Sequence, residues 1–256
     1  MLYSKFMDWT SPKAIECFHL AFLVALRTKV QPDRYVLKGG VNLRYFYGSR
    51  RYSEDIDLDI TAQASPSLED QVDAALKIVT QIIRAAGITV DADGIRKPKQ
   101  TDTTRRWKVP LNVPGFDDPV RTKVEFSNRN GEERYTLESV PAEVVRPYGL
   151  APPVVQRYLP PAAARQKVLA LALRNETQAR DVFDLDLLFR GFTWESNDVP
   201  AGVRANAANA AASLTFEIFE DQVLPFLDPD IAAIYDQYAW DDMQTRVIEE
   251  LLRETA

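Results

Sequence analysis

Residues 54–60 read EDIDLDI and alternate strictly between acidic and aliphatic side chains. Alternation with a period of two predicts a β-strand with one buried face and one polar face. The predicted buried face carries Ile56, Leu58 and Ile60, and the predicted polar face carries Asp55, Asp57 and Asp59. Three carboxylates on one strand face repel one another unless a cation neutralises them. The strand therefore predicts either a cation site or an exposed acidic edge.

A divalent cation such as Mg²⁺ suits this face, because it takes carboxylate oxygens and keeps water or phosphate as its other ligands. An exposed edge strand fits the D-I-D-L-D pattern equally well on its own. A calcium loop does not fit. Counted from Asp55, position six of such a loop requires Gly and position twelve requires Glu, whereas the chain has Ile60 and Pro66.

The segment upstream of this strand favours a phosphate ligand. A short strand at Tyr35–Leu37 runs into Lys38, Gly39 and Gly40, and a short helix is predicted over roughly 41–47. Glycines let the backbone approach a ligand closely, and the helix N-terminus offers free N–H groups. The pair of glycines also fits a simple tight turn, and no Walker motif is present.

Two further polar residues are candidates for the same site. Ser53 precedes Asp55 by two residues, so its hydroxyl is either a phosphate ligand or an ordinary polar strand start. Glu125 lies on a predicted strand at 119–127 and shares its face with Lys123. On a strand next to residues 54–60, Glu125 would complete a three-carboxylate site suited to two-metal phosphoryl transfer. The alternative is a surface ion pair between Lys123 and Glu125.

The rest of the N-terminal half alternates between helices and strands, and the C-terminal half is helical. The other predicted elements are helices at 12–28 and 67–86, strands near 87–92, 105–113 and 134–140, and helices at 162–174, 179–190, 204–226 with interruptions, 229–238 and 241–253. The segment 141–161 is rich in proline and is predicted to be a linker or an extended connection. We therefore expect two domains, an α/β core over 1–150 and a helical lobe over 151–256.

Charge and composition limit the classes of function. The 256 residues carry a formal charge of −6, which disfavours a general nucleic-acid binder, although residues 96–108 hold six Lys or Arg against one Asp. That segment is either a solvated surface or a surface that meets phosphates. The single Cys17 favours a cytoplasmic protein, and no apolar run is long enough for a membrane span. His19, the only histidine, is predicted to be structural and far from the motifs.

Two short patterns stand out in the helical half. Lys167 is surrounded by apolar residues of a predicted helix, where a lysine usually extends to solvent. Asp181 and Asp184 are three residues apart and share a helix face next to Arg180. An acidic first helical turn explains Arg180 and Asp181 without any ligand.

Taken together, these pieces resemble the AbiEii/MenT family of nucleotidyltransferase toxins. Residues 37–40 followed by 51–58 (RYSEDIDL) look like the first family motif, and KVEF at 123–126 is similar to the second. Lys167 in RQKVLAL resembles the lysine motif, and RDVFDL at 180–185 looks like the final D-x-x-D motif. The resemblance covers roughly residues 35–190.

The resemblance implies an α+β fold with a polymerase-β-like nucleotidyltransferase mixed sheet, followed by an all-α C-terminal lobe. It also implies NTP as donor, Mg²⁺ as cofactor, the 3′ end of a tRNA as acceptor and a cognate antitoxin as partner. The chain departs from the pattern in three places. Gly39-Gly40 stands where relatives often have Gly-Ser, Glu125 stands for Asp, and Gln166 precedes the motif lysine where Glu is common.

The motifs assign a role to each candidate residue. Metal ligands are predicted at Asp55, Asp57 and Glu125; nucleotide-binding residues at Lys38, Gly39, Gly40, Ser53, Lys167, Arg180 and Asp181; and catalytic residues at Asp55, Asp57, Glu125, Lys167 and Asp184. Three alternatives stay open at this point. They are modification of a small molecule, as by aminoglycoside nucleotidyltransferases, transfer of a phosphoryl group, as by a kinase, and binding of nucleotide without turnover.

Overall fold

The structure is a computed structural model that describes residues 8–60, 67–101, 103–128 and 134–253. The chain divides into two compact units. The α/β unit comprises Met1–Val41, Ser53–Gly131 and Leu137–Arg157, and the helical unit comprises Asn42–Tyr52, Glu132–Thr136 and Tyr158–Ala256. Both units are therefore assembled from separated stretches of the chain. In the prediction, with its boundary at residue 150, residues 42–52 and 132–136 belong to the α/β core. In the structure they group with the helical unit.

The strands of the mixed sheet are β1 Tyr35–Lys38, β2 Asp55–Ile60, β3 Thr89–Val90, β4 Arg96–Gln100, β5 Thr104–Asn112, β6 Val120–Ser127, β7 Tyr135–Ser139 and β8 Val154–Tyr158. They follow the order β3-β5-β6-β2-β1-β8-β7 across the sheet, with β4 paired to β5. β2 is antiparallel to β1 and parallel to β6, and β1 is parallel to β8. The mixed α/β fold predicted from the sequence is confirmed.

Two long helices cover one face of the sheet in the α/β unit. They are α1, Ser11–Arg27, which begins after the N-cap Thr10, and α3, Ser67–Ile83, which continues into a short 3-10 turn. α1 packs against α3 and β6. The indole of Trp107 on β5 donates a 3.0 Å hydrogen bond to Asp73 of α3, so Trp107 identifies the helix-covered face of the sheet.

Alternation along β5 and β6 separates the two faces of the sheet. Trp107 and Val109 of β5 are buried opposite Val124 and Thr122 of β6, on the helix-covered face. The intervening residues are charged and lie on the other face. A strand with this pattern keeps its register, because a slip of one residue would move charges into the core.

The structure corrects two expectations for the α/β half and adds a strand to the basic segment. α2 spans Gly39–Phe46, so both glycines lie in the first turn of the helix and not before it. The segment 141–161 is not a linker, since it holds the short helix α4 at Ala142–Val145 and the strand β8. The basic segment contains its own strand, β4, which pairs with β5.

Among the described residues, the helical unit holds the greater part of α2 and the helices α5 Pro160–Leu173, α6 Ala179–Gly191, α7 Ala201–Ala212, α8 Phe216–Gln222, α9 Pro229–Ala232 and α10 Gln237–Leu252. α7 packs against α5 and α10, and α6 packs against the same two helices. Their common core centres on Phe219 and Trp240, whose ring centroids are 4.8 Å apart. Within the described ranges, no helix is long and apolar enough to cross a membrane.

Candidate active site

The face of the sheet opposite α1 and α3 carries four carboxylates, Asp55, Asp57, Asp59 and Glu125, which we call the carboxylate face. The pairing of β2 with β6 places Asp57 directly opposite Glu125 and Asp55 opposite Lys123. The prediction that Glu125 lies on a strand next to Asp55 and Asp57 is confirmed. The strand pairing, rather than any local motif, brings the second carboxylate strand to the first.

Three of the four carboxylates have a cationic partner. Lys123 Nζ lies 2.6 Å from Asp55, Arg106 lies 2.6 Å from Glu125, and Lys38 Nζ lies 2.5 Å from Asp59. Asp59 is buried, whereas Asp55 and Glu125 keep 19% and 18% of their side-chain surface exposed. Asp59 thus forms a structural ion pair with Lys38, whereas Asp55 and Glu125 remain open to a ligand.

Asp57 is the exception on the carboxylate face. It is half-buried, and within the described part of the chain it forms neither a hydrogen bond nor an ion pair. Its Oδ2 faces the Cα of Gly39, where a Cβ would come within 3.0 Å of it. Gly39 also has a φ of +67°, a left-handed conformation that favours glycine. The backbone at the start of α2 therefore leaves room for an uncompensated carboxylate.

Burial raises the pKa of Asp55, the carboxylates of Asp57 and Glu54 raise it further, and the ammonium of Lys123 opposes the shift. A raised pKa means that the charged form of Asp55 is under-stabilised in the folded protein. A cation bound between Asp55 and Asp57 would relieve this repulsion.

Two side chains of the carboxylate face, rather than three, suit a Mg²⁺ ion. Across residues 8–60, 67–101, 103–128 and 134–253, no group of three or more His, Cys, Asp or Glu side chains is gathered closely enough to hold a metal. Mg²⁺ is commonly bound by one or two carboxylates together with substrate phosphates. Asp55 and Asp57 on β2 meet that requirement, although Asp55 is paired with Lys123 as Glu125 is with Arg106. The prediction that Glu125 is a metal ligand stays a prediction.

The predicted nucleotide-binding residues of the α/β unit lie beside the carboxylate face. Gly40 follows Gly39 in the first turn of α2. The ammonium of Lys38 is committed to Asp59, and the Ser53 hydroxyl donates a 2.8 Å hydrogen bond to the backbone carbonyl of Asp55. Ser53 lies just before the strand and stabilises its first residue. A role of these residues in binding phosphate stays a prediction.

His19 lies behind the carboxylate face, not far from it as the sequence analysis expected. Its Nε2 is 2.8 Å from Thr122 Oγ1, and the same hydroxyl donates a 2.8 Å hydrogen bond to the carbonyl of Glu54. Since the single hydroxyl proton of Thr122 goes to Glu54, His19 Nε2 must be the donor. Complete burial lowers the pKa of His19 to about 3, which keeps the ring neutral. The chain His19–Thr122–Glu54 anchors the start of β2.

The remaining predicted residues form a second cluster within the helical unit, which we call the ion-pair network. Asp184 is fully buried and lies 2.9 Å from Arg51 and 2.7 Å from Lys167. Asp181 is 1% exposed and lies 2.9 Å from both Lys167 and Arg174. The predicted helix that carries both aspartates is confirmed as α6. The partners Arg51 and Arg174 were not identified from the sequence.

Electrostatics in the ion-pair network favour the charged forms. Burial alone would raise the pKa of Asp184, but the charges of Arg51 and Lys167 outweigh it and hold the pKa below its ordinary value. Burial would likewise lower the pKa of Lys167, and Asp181 and Asp184 together raise it. Three cations face two carboxylates, which leaves a surplus of one positive charge. Arg180 is half-buried on α6, and within the described ranges it makes no ion pair.

Comparisons with known proteins support the family and the fold that the sequence predicts. The profile of one family, described as nucleotidyl transferase AbiEii toxin of a type IV toxin–antitoxin system, matches residues 21–254. The chain belongs to the AbiEii family. It is therefore a nucleotidyltransferase, and the family implies an NTP substrate and an antitoxin partner.

Two solved structures illustrate the fold that this chain shares with known proteins. JHP933 from Helicobacter pylori is 19% identical, with a TM-score of 0.60 over 95% of this chain and 93% of that one. MenT4, a nucleotidyltransferase toxin from Mycobacterium tuberculosis, is 18% identical, with a TM-score of 0.56 over 96% of this chain and 85% of that one. No curated protein matches the chain. At these identities the likeness establishes the shared fold.

Proposed function

We propose that this AbiEii protein transfers a nucleoside monophosphate from an NTP to the 3′ end of a tRNA, with Mg²⁺ held by Asp55 and Asp57. The observation that carries the proposal is Asp57, a half-buried carboxylate with no cationic partner among the described residues. It lies on the strand whose other open carboxylate, Asp55, has a raised pKa. Such under-compensated charge is typical of a cation site.

Each residue of the carboxylate face has a distinct task in this proposal. Asp55 and Asp57 bind the cation, which when present neutralises the phosphate charge and the developing charge on pyrophosphate. Ser53 and the ion pair of Asp59 with Lys38 hold the strand in place. Gly39 lets the backbone at the start of α2 approach the phosphates, since no side chain fills the space beside Asp57.

We assign proton transfer to Glu125. It lies directly opposite Asp57 and remains partly exposed, whereas Asp181 and Asp184 are buried in ion pairs. The acceptor hydroxyl oxygen attacks the α-phosphorus, the bond to the β-phosphate breaks, pyrophosphate leaves, and the hydroxyl proton moves to the Glu125 carboxylate. Most of the acceleration would come from positioning and charge neutralisation.

The direct test supplies the full chain with Mg²⁺ and NTPs that carry the label on either the α- or the γ-phosphate. We expect the α-label, and not the γ-label, to appear on tRNA, and chelation with EDTA to abolish the transfer. Label on an aminoglycoside would assign a small-molecule acceptor instead, and transfer of the γ-label would assign kinase chemistry. NTP binding without any labelled product would contradict the proposed activity.

A further inference from the structure

The carboxylate face continues sideways into a row of cations on β6, β5 and β4. The side chains are Arg121 and Lys123 on β6, Arg106 and Lys108 on β5, and Lys99 and Arg96 on β4. The strand pairing places Lys108 opposite Lys123, Arg96 opposite Lys108 and Lys99 opposite Arg106. All six belong to the α/β unit. We call this set the cationic row.

The cationic row lies on the polar side of the sheet. Arg106 and Lys123 contact the carboxylates Glu125 and Asp55, which fixes the side on which they lie. Lys97, by contrast, is on the helix-covered side, because its ammonium bonds Glu69 and Asp73 of α3. A bulge between Arg96 and Lys99 lets β4 place both of those cations on the polar side.

Like charges lie directly opposite one another across these strands. Cross-strand pairs of the same sign destabilise a sheet unless a counter-charge neutralises them. Arg106 and Lys123 are neutralised by the carboxylate face. Lys99, Lys108 and Arg121 are exposed, and within the described residues none of them forms an ion pair. Arg96 is also exposed and donates hydrogen bonds only to backbone carbonyls. The sheet thus maintains four exposed cations that no carboxylate within the described chain balances.

The extent of the row distinguishes among anions. Lys99 and Arg121 lie two strands and about four residues apart, so the row spans about 16 Å. This is longer than one triphosphate group and fits several consecutive phosphates of a polynucleotide. The row also has no large exposed apolar side chain, whereas protein interfaces depend on apolar and aromatic anchors. Charge without apolar anchors suits a phosphate backbone.

We infer that the cationic row binds the phosphate backbone of the RNA acceptor and leads its 3′ end to the carboxylate face. The inference rests on the proposed function for the identity of the acceptor as RNA. The row begins at Lys123 and Arg106, which touch the carboxylates of the site, and moves away from it through Lys108 and Lys99. An RNA strand bound there would approach the site along one sheet face.

The experiment measures binding of fluorescent bulk tRNA to the full chain by anisotropy, without NTP, over a range of salt concentrations. The test variant combines Lys99→Gln, Lys108→Gln and Arg121→Gln. The control variant combines Lys29→Gln, Arg34→Gln and Lys77→Gln, which removes the same charge from exposed, unpaired positions of the same unit. A third protein, Lys97→Gln, removes a cation of β4 from the opposite face.

We expect the test variant to bind tRNA roughly 10- to 100-fold more weakly at about 0.1 M salt, and its salt slope to fall by about two, since each lost phosphate contact removes about 0.7–0.9. The control variant and Lys97→Gln should bind nearly as the unchanged protein does. The inference is overturned if the control loses as much affinity, if the slope is unchanged, or if polyglutamate binds as tightly as tRNA.

The outcome is separable from that of the proposed function. Weaker binding by the test variant together with no transfer of α-label in the unchanged protein would support the row and overturn the proposed activity. Transfer of α-label to tRNA, together with unchanged tRNA binding by the test variant, would support the proposed activity and overturn the role of the cationic row. If the triple variant fails to fold, Arg121→Gln alone should lower the salt slope by about one.

Discussion

The carboxylate face of the α/β unit and the ion-pair network of the helical unit both set aspartates beside lysines and arginines, but they balance charge in opposite ways. The face holds four carboxylates against three paired cations, so it lacks one positive charge. The network holds two carboxylates against three cations, so it has one to spare. The first keeps an open carboxylate, and in the second both carboxylates are buried.

This difference separates a candidate site from a stabilising cluster. Neutralised and buried charges fix a structure, because breaking such a pair leaves an unpaired ion in the interior. A charge without a partner at a partly open surface contributes little to stability and is available for binding. Asp57 and Asp184 are the residues whose substitution distinguishes these two cases. A catalytic role for Lys167 and Asp184 stays a prediction.

Asp57→Asn should have the largest effect on activity. The substitution removes the charge that faces the proposed cation, so we expect transfer of α-label to fall by about 100-fold or more. The melting temperature should stay the same or rise, because like-charge repulsion with Asp55 is relieved. Asp118→Asn makes the same chemical change at an exposed turn of the same unit and should leave both quantities unchanged. Full turnover in a folded Asp57→Asn protein would exclude the proposed site.

Asp184→Asn should have the largest effect on stability. It leaves Arg51 without its buried carboxylate partner and leaves Lys167 with Asp181 alone, and we expect the free energy of unfolding to fall by about 3–5 kcal/mol. Asp186 lies on the same helix and is also buried, but its partners Arg190 and Arg246 are exposed to solvent, unlike Arg51 and Lys167. Asp186→Asn should therefore cost about 1 kcal/mol or less. Urea titration measures both variants, and an equal loss would show that burial of the cationic partners does not set the cost.

His19 should make the α/β unit sensitive to acid. The folded protein keeps the ring neutral down to a pKa of about 3, whereas the ordinary value is 6.5. Between these values the unfolded chain binds the extra proton, so stability is lost as pH falls below 6.5, by up to about 1.4 kcal/mol per pH unit. His19→Gln should flatten this pH dependence of the free energy of unfolding in urea titrations between about pH 4 and pH 7. An unchanged slope would show that His19 is not protonated on unfolding.

Gly39→Ala should reduce transfer less than Asp57→Asn does, and it tests whether the space beside Asp57 is needed. The left-handed φ of Gly39 costs any other residue about 1–2 kcal/mol, and the new Cβ would meet the Asp57 carboxylate at 3.0 Å. Gly48→Ala carries the same backbone strain at φ +72°, with nothing within 4 Å. We expect similar losses of stability but reduced transfer only in Gly39→Ala. Equal transfer in both variants would mean that space beside Asp57 does not matter.

The local sequence pattern was sufficient to predict the secondary-structure elements that carry the site. It did not reveal which strands and side chains, distant in sequence, pair with one another in the fold. The alternation of residues 54–60 predicts β2 and the direction of each aspartate, because both follow from the two-residue period. The strand β8 was missed since prolines at 152, 153 and 160 flank it and its parallel pairing with β1 leaves no local signal. The partners Arg106, Arg51 and Arg174 were missed for the same reason. Each reaches its carboxylate only through the fold.

The strict alternation of β5 and β6 also limits how the protein can change over evolution. A residue inserted between Thr122 and Glu125 would reverse every side chain beyond it, carrying Glu125 into the core and Phe126 to the surface. Insertions and deletions in these strands are therefore costly unless a bulge absorbs them, and substitutions alter the site more readily. The turn at 114–118, exposed throughout, is where length variation between descendants of this chain should accumulate.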